Sequence, residues 1–344
     1  MTPRVLVTGS SGLLGCCLIT RLRRSGTPVR LFDVVAPPPE LVAAGDDVRV
    51  ADLRDARAVA DACRDVEVVY HLAAGQRMKP QFSDLSEQEI FDMNVAAVRH
   101  VLDGARAAGV RKVVHISSSA VYGVPRTVPV REEDHPQVPL GAYGRSKIEG
   151  ERLCREALGN GLDITMLRPM SLFGPGMTGV FVLLFDWVRL GKTVYLLGSG
   201  RNRVQMVSAW DVADACMLAA ARPESRGAVL NLGAVEVPSI REQVEALIRH
   251  AGSRSRIVTI PAALLRNAAR VLNAVRLSPI VPEHYLLADT TFILDVTEAE
   301  RVLGWTPRHT NVSLLCDAYD WFCANWTTQA PQYGIVLRVL NALS

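Results

Sequence analysis

The residues best suited to chemistry are a tyrosine and a lysine four positions apart, Tyr143 and Lys147. On a helix this spacing places both side chains on one face. A tyrosine titrates near ~10, so acting as a base at neutral pH requires its pKa to fall by roughly 3 units, or about 4 kcal/mol. A positive charge close to the phenol, such as the ammonium of Lys147, would supply part of that shift. The pair predicts acid–base catalysis, and the alternative is an ordinary solvated helix face.

A run of serines, Ser117-Ser118-Ser119, follows the apolar stretch that ends at Ile116. Ligands bind at the carboxyl ends of parallel strands in open α/β sheets, so a hydroxyl at this point can hold a reacting oxygen. The alternative is that these hydroxyls only satisfy backbone groups at the end of a strand.

A glycine-rich turn opens the chain, between an apolar strand and a helical pattern. Gly9 permits a tight turn, Gly12 lets the backbone approach a pyrophosphate, and Gly15 lets the helix lie close to the strand. A second apolar strand ends at Asp33, whose carboxylate is placed to bind an adenosine ribose 2′-hydroxyl and to repel a 2′-phosphate. The turn and Asp33 predict a dinucleotide site that prefers NAD over NADP. The oxidised nicotinamide of NAD, together with Lys147, would supply the pKa shift that Tyr143 needs. The turn, Asp33, the serine run and the Tyr-Lys pair follow one another in an order compatible with a single catalytic site. This order favours the functional interpretation of each motif over its alternative.

These residues need a sheet to position them, and short runs rich in Val and Ile alternate with helical patterns through the first two thirds of the chain. The runs predicted as strands are 4–8, 28–33, 47–51, 67–72, 111–117 and 162–168. The alternation is typical of an α/β fold with a doubly wound parallel sheet of Rossmann type. Near-continuous apolar strands indicate helices on both faces.

We expect residues 1–170 to form an NAD-binding Rossmann domain, to which 205–235 return through a strand at 229–232. Residues 171–330 are expected to form mainly a smaller C-terminal substrate-binding lobe, because Gly and Pro break the βα rhythm there. Within the lobe, segments around 255–310 are expected to be irregular.

Residues 331–344 are predicted to form a C-terminal helical tail that docks on the body. The tail is too short to span a bilayer and has too few basic residues for a membrane surface, so no membrane partner is expected.

Composition argues against several other partners. Lys and Arg total 38 against 35 Asp and Glu, and no basic stripe interleaved with aromatics occurs, so no nucleic-acid partner is expected. The 7 cysteines form no CxxC pair and have no histidine at ligand spacing, so neither a metal nor a disulfide framework is expected. The first strand follows Met1 almost at once, which leaves no room for a signal peptide, so we expect a cytoplasmic protein.

Together these features resemble the extended short-chain dehydrogenase/reductase superfamily and, within it, the NAD-dependent epimerase/dehydratase family. The resemblance covers most of the chain. Its landmarks are Thr8–Gly15, Asp52-Leu53, His71–Ala74, Asn94-Val95, Ser117–Gly123, Tyr143–Lys147, Leu167–Pro169, Phe173–Gly176, Asn202–Val207, Asp211–Ala213 and Leu303–Pro307.

The resemblance implies roles for the matching positions. Tyr143 is the acid–base residue, Lys147 holds a ribose and lowers the tyrosine pKa, and Ser118 binds the reacting oxygen. The implied cofactor is NAD, and the residues expected to bind it are Gly9, Ser11, Gly12, Leu13, Leu14, Asp33, Asp52, Leu53, Leu72, Ala73, Ala74, Asn94, Ser117, Tyr143, Lys147, Pro169 and Met170. The expected substrate-binding residues are Ser119, Ser171 and Arg203. Arg203 would meet a substrate diphosphate, although a surface salt bridge is an equally ordinary use of arginine.

The resemblance favours an NAD-dependent epimerase that acts on a nucleoside-diphosphate sugar through a transient keto intermediate. The alternative is a dehydrogenase or reductase of an apolar alcohol or ketone, similar to the hydroxysteroid branch and using NAD or NADP. A sugar-nucleotide 4,6-dehydratase is disfavoured, because Ser119 and Ala120 stand where dehydratases carry an Asp-Glu pair. A non-catalytic NAD-binding protein is disfavoured by the intact Ser118, Tyr143 and Lys147.

Two helices, one around 92–108 and one starting at Tyr143, carry small apolar residues such as Ala96, Ala97 and Leu153. Such helices build a four-helix dimer interface in the family, so the resemblance implies a homodimer. The alternative is that these residues only cover the sheet.

Overall fold

The computed structural model describes residues 4–76, 82, 84–133, 137–174, 180–260 and 289–325. The predicted C-terminal tail, 331–344, lies outside the described residues, and so do parts of the predicted lobe.

Seven parallel strands form the central sheet. They are β1 (Arg4–Thr8), β2 (Val29–Asp33), β3 (Asp47–Val50), β4 (Val66–His71), β5 (Lys112–Ile116), β6 (Ile164–Pro169) and β10 (Val229–Leu232). Their order across the sheet is β10-β6-β5-β4-β1-β2-β3. The predicted doubly wound α/β fold is confirmed, and the six predicted strands match to within about two residues at each end.

Helices cover both faces of this sheet, which is why its central strands are largely apolar. The helices on one face are α1 (Leu13–Arg24) and α6 (Ala209–Ala221), and those on the other are α2 (Ala56–Cys63), α3 (Glu87–Ala107) and α4 (Ala142–Gly159). In β1, Val5 and Val7 pack toward the first pair while Leu6 packs toward the other three. Each such side chain contributes roughly 1.5–3 kcal/mol by leaving water. Within the described ranges, no helix is long and apolar enough to cross a membrane.

A smaller unit beyond the sheet contains two pairs of parallel strands. β7 (Ser171–Phe173) pairs with β9 (Met206–Ser208), and β8 (Val194–Leu197) pairs with β11 (Ile257–Ile260). The helices α5 (Val180–Arg189), α7 (Ile240–His250) and α9 (Asn311–Asn325) pack around an aromatic core that includes Phe173, Phe185, Trp187, Tyr319 and Phe322.

The expectation that 255–310 is irregular was wrong for two elements, β11 and the helix α8 (Thr297–Leu303). The physical reason is that a four-residue run such as Ile257–Ile260 forms a strand only through its partner, and that partner lies more than fifty residues earlier in β8. Helix α8 has only seven residues and packs its buried Ala299, Val302 and Leu303 against the main body.

The landmarks around Asp211 and Trp305, distant in sequence, meet in the fold. The indole Nε1 of Trp305 donates to the carbonyl oxygen of Asp211 at 2.8 Å. The backbone amides of Arg308 and His309 donate to the buried Asp211 carboxylate at 3.1 and 3.2 Å. This carboxylate therefore holds the chain after α8 against the first turn of α6.

We expect Asp211→Ala to lower the free energy of unfolding by about 2–4 kcal/mol, because it leaves two amides in this contact without their acceptor. Asp214→Ala is the matched control on the same helix. Its carboxylate pairs with the Arg21 side chain in a partly exposed bridge, so its loss should cost less than about 1 kcal/mol. Urea unfolding of both variants measures the difference, and equal losses would contradict the role given to Asp211.

Candidate active site

The strand order defines where a ligand binds, because the sheet is built outward in opposite directions from β1 and β4. Ligands of such sheets lie at the carboxyl ends of the strands at this point. Gly9 follows β1 with a φ of 73°, and a Cβ built on it would lie 2.8 Å from the amide nitrogen of Ala73, just after β4. The two loops thus touch backbone to backbone, and only glycine fits at position 9.

The glycine-rich turn leads into α1 without a side-chain cap on the helix. Gly12 is the N-cap residue, and it has no side chain that could accept a hydrogen bond from the first turn. A Cβ on Gly15 would lie 2.3 Å from the carbonyl oxygen of Gly9, so turn and helix are in direct backbone contact. An uncapped helix N-terminus beside a glycine turn binds anions through its N–H groups and partial positive charge. The turn therefore fits the pyrophosphate of a dinucleotide.

Asp33 ends β2 and is fastened to the glycine-rich turn. Its carboxylate accepts hydrogen bonds from the backbone amide of Ser11 at 2.9 Å and from that of Val34 at 2.7 Å. The hydroxyl of Ser11 donates to the carbonyl oxygen of Val35 at 2.6 Å. The backbone amide of Val35 is a third, longer donor at 3.4 Å. A carboxylate has about four acceptor positions, so three bonds still leave capacity for a ribose hydroxyl. This geometry fits the predicted role of Asp33.

Other residues predicted to bind the cofactor line this edge of the sheet. Asp52 accepts from the backbone and guanidinium of Arg54, and those bonds hold the pKa of its carboxyl below its usual range. The carbonyl oxygen of Leu53 lies 2.8 Å from Nδ1 of His100. Leu72 donates its amide to Thr8. The positions left partly exposed after β4 are Leu72, Ala73 and Ala74.

Several predicted cofactor residues are buried, among them Leu14, Met170 and Ser117. Leu14 packs in the core under α1, and Met170 packs in a small cluster beyond β6, so each can offer a ligand mainly its backbone. Ser117 donates its hydroxyl to Glu151 at 2.6 Å. Leu13 is half-buried beside Gly174, and Pro169 ends β6 at the predicted edge.

Asn94 on α3 joins the loop after β4 to the helix that carries Tyr143. Its amide oxygen accepts from the backbone of Gly75 at 2.7 Å, and its amide nitrogen donates to the Gly75 carbonyl at 3.1 Å and to the Ser146 hydroxyl at 3.0 Å. Ser146 in turn donates to the carbonyl oxygen of Tyr143. A capping box of Ser86 and Glu89 fixes the start of α3 and therefore the position of Asn94 along the helix axis.

Ser118 and Tyr143, predicted from separate motifs, lie close enough that the Ser118 side chain lowers the pKa of Tyr143. Gln76, which the sequence did not single out, acts on the Tyr143 hydroxyl in the same way. Burial raises the pKa of Tyr143 above its ordinary value, and these two polar neighbours lower it only in part. The lowering that base action needs is therefore not supplied by the protein alone, in keeping with its expected dependence on an oxidised nicotinamide.

Lys147 lies one turn after Tyr143, as the spacing predicts. Its ammonium donates to the carbonyl oxygen of Ile116 at 2.7 Å and lies 5.6 Å from the centre of the Tyr143 ring. Only 4% of the residue is exposed. The lysine is thus held at the end of β5, next to the serine run.

Two stacked imidazoles, His71 and His115, lie at the carboxyl ends of β4 and β5, with ring centres 5.3 Å apart. Burial and the charge of Lys147 lower the pKa of His71 to about 3, and they lower the pKa of His115 well below its ordinary value. Both rings are therefore neutral at physiological pH. Within the part of the chain that the structure describes, no three His, Cys, Asp or Glu side chains form a metal site.

The predicted substrate residues are less closely grouped. Ser119 is buried in the single helical turn Ser119–Val121, whereas Ser171 on β7 is exposed. Arg203 is exposed and donates to the carbonyl oxygen of Val237 at 2.6 Å. Within the described segments its other hydrogen bonds are with Thr291 and Phe292, and none joins it to Tyr143.

Comparison with known proteins agrees with this geometry. A family model described as "NAD dependent epimerase/dehydratase family" matches residues 5–233. "Uncharacterized protein y4nG" of Sinorhizobium fredii is 37% identical over 93% of this chain and 78% of its own. A UDP-glucose 4-epimerase of Mycolicibacterium smegmatis is 30% identical over 89% of this chain and 94% of its own.

Two further proteins are similar to this chain. Sterol demethylase protein B of Methylococcus capsulatus is 35% identical over 60% of each chain. The crystal structure of MoeE5 in complex with UDP-glucuronic acid and NAD has a TM-score of 0.74 and 28% identity, and the match covers 94% of this chain and all of that one.

We expect Gly9→Ala to weaken NAD binding at least about tenfold, because its methyl group would push the two loops apart at Ala73. Gly26→Ala is the matched control. Its φ is 69°, similar to that of Gly9, but no atom lies within 4 Å of the added carbon. Both variants should lose about 1 kcal/mol of stability from the backbone conformation. Calorimetric titration compares the NAD affinities of the two variants. Equal affinities would contradict the importance of the Gly9–Ala73 contact for NAD binding.

Asp33 should make NADP bind about 100-fold more weakly than NAD, since its carboxylate would face the 2′-phosphate. Asp33→Asn keeps an acceptor for Ser11 and removes the charge, so it should reduce the ratio of the affinities for NAD and NADP. Calorimetry with both dinucleotides measures the ratio. Equal affinities in the unaltered protein would show that Asp33 does not select the cofactor.

Proposed function

Because the chain belongs to the NAD-dependent epimerase/dehydratase family, we propose that it is an NAD-dependent epimerase acting on a nucleoside-diphosphate sugar. The observation that carries the proposal is the grouping of Ser118 and Tyr143 beside the buried ammonium of Lys147, which lies 5.6 Å from the centre of the Tyr143 ring. This set combines an acid–base group with a donor for the reacting oxygen. The similarity to a UDP-glucose 4-epimerase along most of both chains supports the substrate class.

In the proposed reaction Tyr143 takes the proton of a sugar hydroxyl while the hydrogen on the same carbon leaves as hydride. NAD held by the glycine-rich turn, Asp33 and Lys147 would supply the hydride acceptor, and return of the hydride to the opposite face of the sugar would complete the inversion. Ser118 donates a hydrogen bond to the oxygen as it becomes a carbonyl, and Tyr143 returns the proton at the end. No net oxidation results, so cofactor and protein finish as they began.

The cofactor is NAD, and we assign the contacts to it from the fit described above. The amides at the start of α1 would bind the pyrophosphate, Asp33 the adenosine ribose, and Lys147 the nicotinamide ribose. The positive charge of oxidised nicotinamide would lower the pKa of Tyr143, which burial raises in the protein alone.

A dehydrogenase or reductase of an apolar alcohol is the second candidate, and the similarity to sterol demethylase protein B favours it. A dehydratase is less well supported, because neither Ser119 nor Ala120 carries a group that titrates near neutral pH. Arg203, exposed on the smaller unit, distinguishes the first two candidates. Only a substrate with a diphosphate would use its guanidinium.

A homodimer and a cytoplasmic location complete the proposal. Leu153 and Ala97 already pack against the sheet within one chain. The outward surfaces of α3 and α4 instead carry charges of both signs, including Arg99, Asp103 and Glu156. A dimer through these helices would therefore pair charges.

All the cysteines are free, as is usual in a reducing compartment, and this supports the proposed cytoplasmic location.

The experiment that tests the proposal is mass spectrometry of the small molecules released when freshly purified protein is denatured. A cofactor that is regenerated in each cycle stays bound, so we expect NAD near one per chain, and a nucleotide sugar with it would identify the substrate class. Protein that releases no NAD, and that reduces added NAD with an apolar alcohol, would favour the second candidate.

We expect Tyr143→Phe to lower epimerase kcat by at least about 100-fold, since it removes the proton carrier, while NAD stays bound. Tyr319→Phe is the control, because its ring packs in the smaller unit's core. Turnover of UDP-glucose, followed by product chromatography, gives the ratio. Full activity of Tyr143→Phe would rule out the acid–base role.

A further inference from the structure

Glu151 is a buried carboxylate on the helix that carries Tyr143 and Lys147, one turn beyond the lysine. None of its surface is exposed. It accepts hydrogen bonds from the Ser117 hydroxyl at 2.6 Å, from Gln137 at 2.9 Å and from Arg155 at 3.0 Å. A buried charge is tolerated only when its lone pairs are filled in this way.

Arg168, the last residue but one of β6, provides the countercharge. Its guanidinium donates to both oxygens of Glu151 at 2.7 Å, in the two-point geometry that arginine forms with carboxylates. Burial opposes ionisation of Glu151, but the hydrogen bonds and charge of Arg168 hold the pKa of Glu151 below its ordinary value. The pair is therefore charged at neutral pH.

This ion pair holds both ends of the segment that contains Ser118. At one end Glu151 binds the hydroxyl of Ser117, whose amide donates to the carbonyl oxygen of Leu167 at 2.7 Å. At the other end Arg168 donates to the hydroxyl of Tyr122 at 2.7 Å, and Tyr122 donates to Asn231 at 2.8 Å.

We propose that Glu151 is a positioning residue which, together with Arg168, clamps the segment 117–122 at both ends and so fixes the Ser118 hydroxyl against Tyr143. The clamp joins the segment to the same helix that carries the tyrosine. Helix and segment therefore keep their distance without relying on the loop's own stiffness. The clamp deepens the proposed function and rests on it, since the distance it sets matters for proton transfer between substrate and Tyr143.

Ser117→Ala removes one attachment without leaving a charge unpaired, so the variant should fold. We expect its kcat to fall about tenfold, the effect of about 1.4 kcal/mol in the transition state, with KM and retained NAD within about twofold. Ser225→Ala is the matched control, because Ser225 is also a buried serine bonded to a charged side chain, Lys112, and Ser225 lies outside the site. Tyr122→Phe, which frees the other end, should behave like Ser117→Ala.

Hydrogen exchange of the peptide covering 117–122 gives a readout that needs no substrate. Exchange should rise in Ser117→Ala and Tyr122→Phe but not in Ser225→Ala. Unchanged exchange would overturn the clamp, and so would raised exchange with unchanged kcat, or equal falls in kcat for Ser117→Ala and Ser225→Ala. If the unaltered protein turns over no nucleotide sugar, the proposed function fails, and the exchange rates alone decide whether the clamp exists.

Glu151→Gln keeps the side-chain shape and removes the charge that Arg168 balances. We expect a fall in kcat at least as large as that of Ser117→Ala, again with KM unchanged. A Glu151→Gln protein that folds and keeps full kcat would also overturn the proposal. If it does not fold, Ser117→Ala and Tyr122→Phe still provide the test.

Discussion

The site depends on two buried charges of opposite sign, one helical turn apart on α4. Lys147 bonds the carbonyl oxygen of Ile116, the last residue of β5, and Glu151 bonds the hydroxyl of Ser117, the next residue in the chain. Rotating or sliding α4 would remove the hydrogen-bond partners of both charges. Each charge left unpaired in the poorly solvated protein interior would cost several kcal/mol. The helix therefore has one permitted register on the sheet, and Tyr143 takes its position from that register.

The sheet could be predicted because its strands are marked by local sequence patterns. Runs such as Val113-Val114 are apolar on both faces, and a glycine turn marks the change to a helix. The smaller unit could not be predicted in this way. Its strands β8 and β11 have four residues each and pair across a long stretch of sequence, so neither carries its own signal.

The site shows the same division between local and distant information. The Tyr143 and Lys147 spacing and the position of Ser118 after a strand are local patterns, and they led to residues that lie together. Gln76 and Arg168 reach the site from other loops and strands, and a single sequence does not reveal such contacts. Glu151 was the one missed residue with a local signal, because it follows Tyr143 by two helical turns and so shares its helix face.

The return of the chain to the sheet at β10 has a consequence for folding during synthesis. β6 pairs with β5 on one side and with β10 on the other, and residues 170–228 are made between β6 and β10. At about 5–20 residues per second, the ribosome needs roughly 3–12 s to make that stretch. Throughout this interval β6 is an apolar edge strand, open to pairing with other chains. The nascent protein therefore carries an unpaired strand edge while residues 170–228 are being synthesised.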